Sequence, residues 1–229
     1  MTQSDDVPQK GTSDRKITHE TVYESLYASI IAGHFEPGKT LTIRGLAEEL
    51  GVSPMPVREA IRRLVALGAL EMRSTRRVSV SKMTEERYRE IVDTRTLLEP
   101  AIAARALTNC TEELIEKLET IDNEIAVAME RGDPDAYSLK NREFHFTLYE
   151  AANCPIMLRL IESIWLQFGP FMRIVVGRLG TSLIDDQHIS AVAALRNNDE
   201  AALREAIRLD IYDGMDRIGL ELLGHSHAK

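Results

Sequence analysis

The chain has 229 residues, 44% of them hydrophobic, and a formal net charge of -8. That length is enough to bury a core in one large or two smaller domains. The acidic balance excludes a protein that coats nucleic acid over its whole surface. The charge is unevenly spread, however. Residues 14–83 carry 11 Lys/Arg against 8 Asp/Glu, whereas residues 84–229 carry 16 against 26, so a mildly basic segment precedes an acidic one and DNA contact at one end is indicated. Cys110 and Cys154 fit neither a metal nor a redox spacing. With no signal peptide and no long apolar run, the expectation is a cytoplasmic chain with reduced thiols and no membrane partner.

Residues 1–16 are polar, contain Pro and Gly and lack periodicity, which predicts a disordered tail. From residue 17 to 82 the pattern is that of a small compact domain. Thr18 can cap a first helix carrying Val22, Leu26, Ile30 and Ile31, which Gly33 ends. Pro37-Gly38 marks a turn, and Thr40-Leu41-Thr42 reads as a short extended piece. A second helix is expected from about Ile43 to Leu50, a sharp turn at Gly51, and a third helix from about Pro54 to Leu67. Ser53 is a good N-cap, Pro54 falls at the first helical position, and Pro56 lies in the first turn, where amides lack intrahelical partners. Val57, Ile61 and Leu64 face the core, while Met55, Arg58 and Arg62 share another face. Leu70–Arg73 and Val78–Val80 read as two strands around the tip Ser74-Thr75-Arg76-Arg77. The order is that of a winged helix-turn-helix, whose third helix presents its N-terminal residues to base edges. Arg58 suits guanine, and Arg76 and Arg77 at the tip can reach phosphates or a minor groove. A solvated basic face would carry the same residue types.

Residues 84–224 read as an antiparallel bundle of about six helices, so the fold class is mainly α. Thr84 and Thr111 cap the first two, each followed by two glutamates that suit the helix dipole. The first runs to about Ala106 with Pro100 inside it; the second ends before Gly132-Asp133-Pro134-Asp135. A third covers about 136–151. A fourth and a fifth are expected over 155–176, ended by Gly177 and Gly180, and the last two over about 183–197 and 199–223, with Asp199 as a cap. Residues 225–229 form a Gly/Ser-flanked tail that exposes His225 and His227.

The apolar stripes of four helices are interrupted by polar residues. Arg95 lies among Tyr88, Ile91, Leu98 and Ile102; Asn141 and His145 among Tyr137, Phe144 and Leu148; His188 among Ile184, Ala191 and Leu195; Asp210 among Leu203, Ile207, Gly214 and Ile218. A polar group on a core stripe is costly unless it is paired or bound to metal, so the five predict a shared polar cavity. Asn141, His145, His188 and Asp210 together suit a divalent ion, zinc first, with nickel or manganese as alternatives. A guanidinium at Arg95 suits the carboxylate of a small acid.

The stretch GHFEPGKTLTIRGLAEELGVSPMPVREAIRRLVALGALE resembles the winged-helix domain of GntR-family transcription regulators, in its PG-x-x-L, its LAEELGVS and its PVREAI-x-RL. The resemblance implies DNA contacts at Arg44, Ser53, Met55 and Arg58 and in the wing. Pro54 stands where many members have Arg, and Arg76-Arg77 where the wing often carries Gly. The helical half resembles the FCD ligand-binding domain of the FadR subfamily, with a length nearer the VanR-type variant. TRTLLEPAIAARAL matches its opening helix, including Arg95. NREFHFTLYEAANCP matches a stretch that usually reads Asp-x-x-x-His, and DQHISAVAALRNND the second-histidine stretch. A third histidine is usual near AIRLDI. Asn141 therefore takes the Asp position and Asp210 that of the third His.

What the resemblance implies is a homodimeric, ligand-responsive regulator that binds a palindromic operator, read here first as a repressor, with an activator as the alternative. A small organic acid would act as effector in the helical domain, bound through the divalent metal there. A metal-dependent bundle enzyme with an appended DNA-binding domain is the alternative. Against it, the sequence has no paired Glu-x-x-His motifs, no nucleophile-base motif and no phosphate-binding loop.

Overall fold

The computed structural model describes residues 19–179 and 187–224, with side chains to residue 175 and from 187 to 212. The tail 1–16, the cap at Thr18, Gly180, Ile184 and the tail 225–229 lie outside the described residues. In the first domain α1 (His19–Ile31) buries Val22, Tyr23, Leu26, Ile30 and Ile31. Helix α2 (Ile43–Glu49) is capped by Thr42, whose hydroxyl accepts from the Gly45 amide at 3.0 Å. Gly51, at φ +64°, makes the turn into α3 (Pro54–Ala66). Ser53 has the extended backbone of an N-cap, yet its hydroxyl makes no capping bond; Pro54 starts the helix instead.

The wing hairpin is β2 (Leu70–Ser74) and β3 (Arg77–Val80), antiparallel, with an irregularity between Met72 and Ser74. Only Thr75 and Arg76 lie between the strands, so Arg77 belongs to β3. The extended piece Thr40–Thr42 is a true strand, β1, paired antiparallel with the other side of β3. The sheet is thus three-stranded, in the order β1-β3-β2. Three residues are too few to display the two-residue alternation that would mark a strand locally.

The second domain contains α4 (Glu85–Ala106), α5 (Glu112–Arg131), α6 (Pro134–Glu150), α7 (Pro155–Leu179), α8 (His188–Arg196) and α9 (Glu200–Gly224), with a 3-10 turn at Leu107–Asn109. Thr84, Thr111 and Asp133 cap α4, α5 and α6 through their side chains. Asp199 accepts from the Ala202 amide at the start of α9. Helix α4 packs on α9, α5 on α6 and α8, and α7 on α4 and α6. No helix among the described residues is long and apolar enough to cross a membrane.

One expectation is corrected here. Residues 155–179 form a single helix, not two, and α7 runs unbroken through Gly169-Pro170 and past Gly177. Gly169 serves contact with the first domain: a Cβ there would lie 2.9 Å from the Ile31 Cα and 3.0 Å from the Ile30 carbonyl oxygen. Backbone atoms cannot swing aside as side chains do, so Gly169→Ala must push α1 and α7 apart. Alanine itself favours a helix over glycine by about 1 kcal/mol, whereas overpacking typically costs about 1–3 kcal/mol. The expected result is a net lowering of the melting temperature, read by calorimetry. A rise would mean that the close approach is not rigid.

Candidate DNA-reading face and buried polar site

On α3, Val57, Ile61 and Leu64 are completely buried, which fixes the rotation of the helix. Ser53, Met55 and Arg62 are exposed, Met55 to 65%. Arg58 is partly exposed, and its Nη1 donates to the Thr75 carbonyl at the wing tip at 2.9 Å. That bond joins the third helix to the wing. Arg62 pairs with Glu59 at 3.3 Å and Arg44 with Glu48 at 2.8 Å, all exposed. Such pairs are worth little in water, so these arginines can exchange their partners for phosphates. Arg76 and Arg77 are exposed on the wing. Arg63, between these residues in sequence, turns the other way, bonding Glu20 at 2.7 Å and lying over the Tyr23 ring.

In the helical domain, His145, His188 and Asp210 converge from α6, α8 and α9. Their ligand atoms lie within 4.8 Å of one another. His145 Nε2 is 3.0 Å from Asp210 Oδ2, and His188 Nε2 is 3.7 Å from Oδ1 and 3.4 Å from His145 Nε2. Both imidazoles are fully buried, and the Asp210 side chain is 10% exposed. Asn141 is buried one turn before His145 on α6. Among the His, Cys, Asp and Glu residues described, these three form the cluster.

The remaining ring nitrogens have partners of their own. His188 Nδ1 faces the Asp122 carboxylate at 3.0 Å, an acceptor, so Nδ1 carries hydrogen. His145 Nδ1 is 3.0 Å from the Tyr149 hydroxyl, whose single hydrogen goes to Glu99 at 2.8 Å. The Tyr149 oxygen must therefore accept from His145 Nδ1. In their neutral forms both rings then turn Nε2 lone pairs toward a carboxylate. Three electron-rich groups meeting in a dry site need positive charge, supplied by protonation or by a cation. Burial acts against ionisation of Asp210, but protonated His145 and His188, with the Gln187 amide, outweigh it and hold its carboxyl well below the usual range. Two imidazoles and one carboxylate, each ring oriented by an outer acceptor, fit a divalent ion.

Arg95 and Glu99, one turn apart on α4, lie beside this cluster. Arg95 Nε and Nη2 donate to Glu99 Oε1 and Oε2 at 2.5 and 3.1 Å. Trp165 Nε1 also donates to Oε1, at 2.9 Å, and the guanidinium stands 4.3 Å from the Trp165 ring. Glu99 thus collects donors from Arg95, Tyr149 and Trp165 with no exposure at all. Burial and then Glu99 push the Tyr149 hydroxyl far above its usual range, so it stays a donor. The sequence reading missed Glu99, Tyr149, Trp165 and Asp122. Glu99 had a signal: 88, 91, 95, 99, 102 and 106 keep the 3- and 4-residue step, and that stripe runs through Glu99 rather than Leu98.

A helix-turn-helix with a wing, joined to an all-helical domain with a buried polar centre, defines a class of two-domain DNA-binding regulators. Residues 18–80 match the bacterial regulatory proteins of the gntR family and residues 90–212 the FCD domain. The chain is 30% identical over 190 residues to the HTH-type transcriptional regulator McbR of Escherichia coli, covering 81% of this chain and 86% of that protein. It is 27% identical over 221 residues to the gluconate operon transcriptional repressor of Bacillus subtilis, covering 92% and 88%. The solved structure of E. coli McbR/YncC superposes with a TM-score of 0.82 at 26% identity, covering 91% of this chain and 98% of that one. The chain belongs to the GntR family of transcription regulators, in the group that carries an FCD domain. It is a DNA-binding transcription regulator.

Proposed function

We propose that this regulator is a homodimeric repressor that reads a palindromic operator and answers to a small organic acid held in its helical domain. Two-fold protein symmetry would match a two-fold site, with α3 of each subunit in a major groove. Met55, Arg58 and Ser53 would meet base edges, with Arg44, Arg62, Arg76 and Arg77 on the backbone or minor groove. The repressor sense is supported by the name of the gluconate operon relative.

The observation that carries the effector half is the dry convergence of two imidazole Nε2 atoms on the Asp210 carboxylate. His145, His188 and Asp210 would hold a divalent ion, with Asn141 one turn away as an oxygen donor. When bound, such an ion supplies a positive point to which an acid can coordinate. Arg95 would offer a second positive group to the same acid, shared with Glu99. Because a ligand shifts an equilibrium only through unequal affinity, the acid must favour one arrangement of the DNA-reading heads.

Metal content by elemental mass spectrometry tests the centre, on protein purified without chelator or His-tag. About one ion per chain is expected in the parent, and none in His145→Ala/His188→Ala. Equal content in both proteins, or none in the parent, would remove the ion from the proposal. The FCD match would then leave Arg95 as the anchor for an acid.

A further inference from the structure

The end of α3 is held by side chains from elsewhere in the chain. Leu67, its C-cap, offers a carbonyl that accepts from Ser163 Oγ at 2.9 Å and from Gln167 Nε2 at 3.2 Å. The next carbonyl, of Gly68, accepts from Ser81 Oγ at 2.9 Å and from Arg87 Nη2 at 3.0 Å. Arg87 also donates to Gln167 Oε1 at 2.7 Å, which ties the two sets together. Carbonyls at a helix end have no partners within the helix, so whatever binds them governs where the helix points. The fit is close: Gly68 has φ +75°, and a Cβ there would lie 3.0 Å from the Gln167 side chain.

Ser163 and Gln167 are one turn apart and share a face of α7. Trp165, between them, lies on the opposite side of the helix. There it donates to Glu99, carries Arg95 against its ring and sits 5.2 Å from the His145 ring. One helix therefore grips the DNA-reading helix on one face and the buried polar site on the other. We propose that Ser163, Gln167 and Arg87 are positioning residues that clasp the end of α3 and couple its placement to the buried site through α7. The proposal rests on α3 as the DNA-reading helix, which Arg58→Ala tests separately.

Coupling of this kind is reciprocal, so DNA on α3 must be felt at Trp165. Trp165 is the only tryptophan in the chain, and its emission reports that point alone. The probe is a duplex selected from random sequence by the full-length protein, with a scrambled duplex as control. At saturation, the selected duplex is expected to change Trp165 emission in the parent and the scrambled one to leave it unchanged. In Ser163→Ala/Gln167→Ala, and in Gln167→Glu, which retains an acceptor for Arg87 but loses the donor to Leu67, the change should disappear while the duplex still binds in a gel shift. A silent parent at saturation overturns the coupling whatever the variants do. So does a folded variant that keeps the full parental change. Glu99→Gln, which leaves the clasp untouched, should keep binding but alter the size of the change.

Discussion

Glu99→Ala should lower the stability of the folded protein by about 3–5 kcal/mol, the usual effect of removing one partner from a buried ion pair. For a chain of this size that corresponds to a melting temperature lower by about 6–20 °C. The size follows from what Glu99 does. It is fully buried and accepts from Arg95, Tyr149 and Trp165, on three different helices. Truncation takes the acceptor from three buried donors at once and leaves a void beside them. Glu99→Gln retains the volume and an acceptor oxygen, so it should cost less. Arg95→Met/Glu99→Met, which removes both charges, should also cost less than Glu99→Ala, because no charge is left behind in the core. Thermal unfolding followed by circular dichroism orders the three variants. A Glu99→Ala protein that melts with the parent would show that the network adds nothing to stability.

Arg58→Ala should weaken binding to the selected operator by about 1–3 kcal/mol, roughly 5- to 150-fold, if Arg58 makes a paired contact with a base. Affinity for a scrambled duplex should change far less. Arg58 also bonds the Thr75 carbonyl, so part of the loss could come from a wing no longer tied to α3. Arg58→Lys separates the two effects: it keeps the charge but not the planar fork that reads guanine. Arg62→Ala is the contrasting case. Arg62 pairs with the exposed Glu59, and a phosphate role predicts a uniform loss across sequences and a salt slope smaller by about one. Fluorescence anisotropy on both duplexes over a range of salt reads all of these. Unchanged operator affinity in Arg58→Ala would refute the base contact.

The sequence by itself determined the elements whose causes are local. Thr84, Thr111 and Asp199 start their helices because a side-chain oxygen reaches an amide three residues on. The rotation of α3 was legible because Val57, Ile61 and Leu64 repeat at helical spacing. The same periodicity, broken by polar residues, singled out His145, His188 and Asp210, which the fold brings together.

Tertiary structure decided what depends on partners far along the chain. Glu99 meets Tyr149 and Trp165 across 50 and 66 residues, and His188 meets Asp122 across 66. No local pattern encodes which donor a buried carboxylate receives, since that follows from how helices pack. Strand β1 exists because β3 has an open edge beside it. Two helices were expected over 155–176, yet α7 is continuous, and Gly169 within it lets two backbones approach where any side chain would collide. Local energies of about 1 kcal/mol set helix ends; burial and close packing, summed over many contacts, override them wherever elements meet.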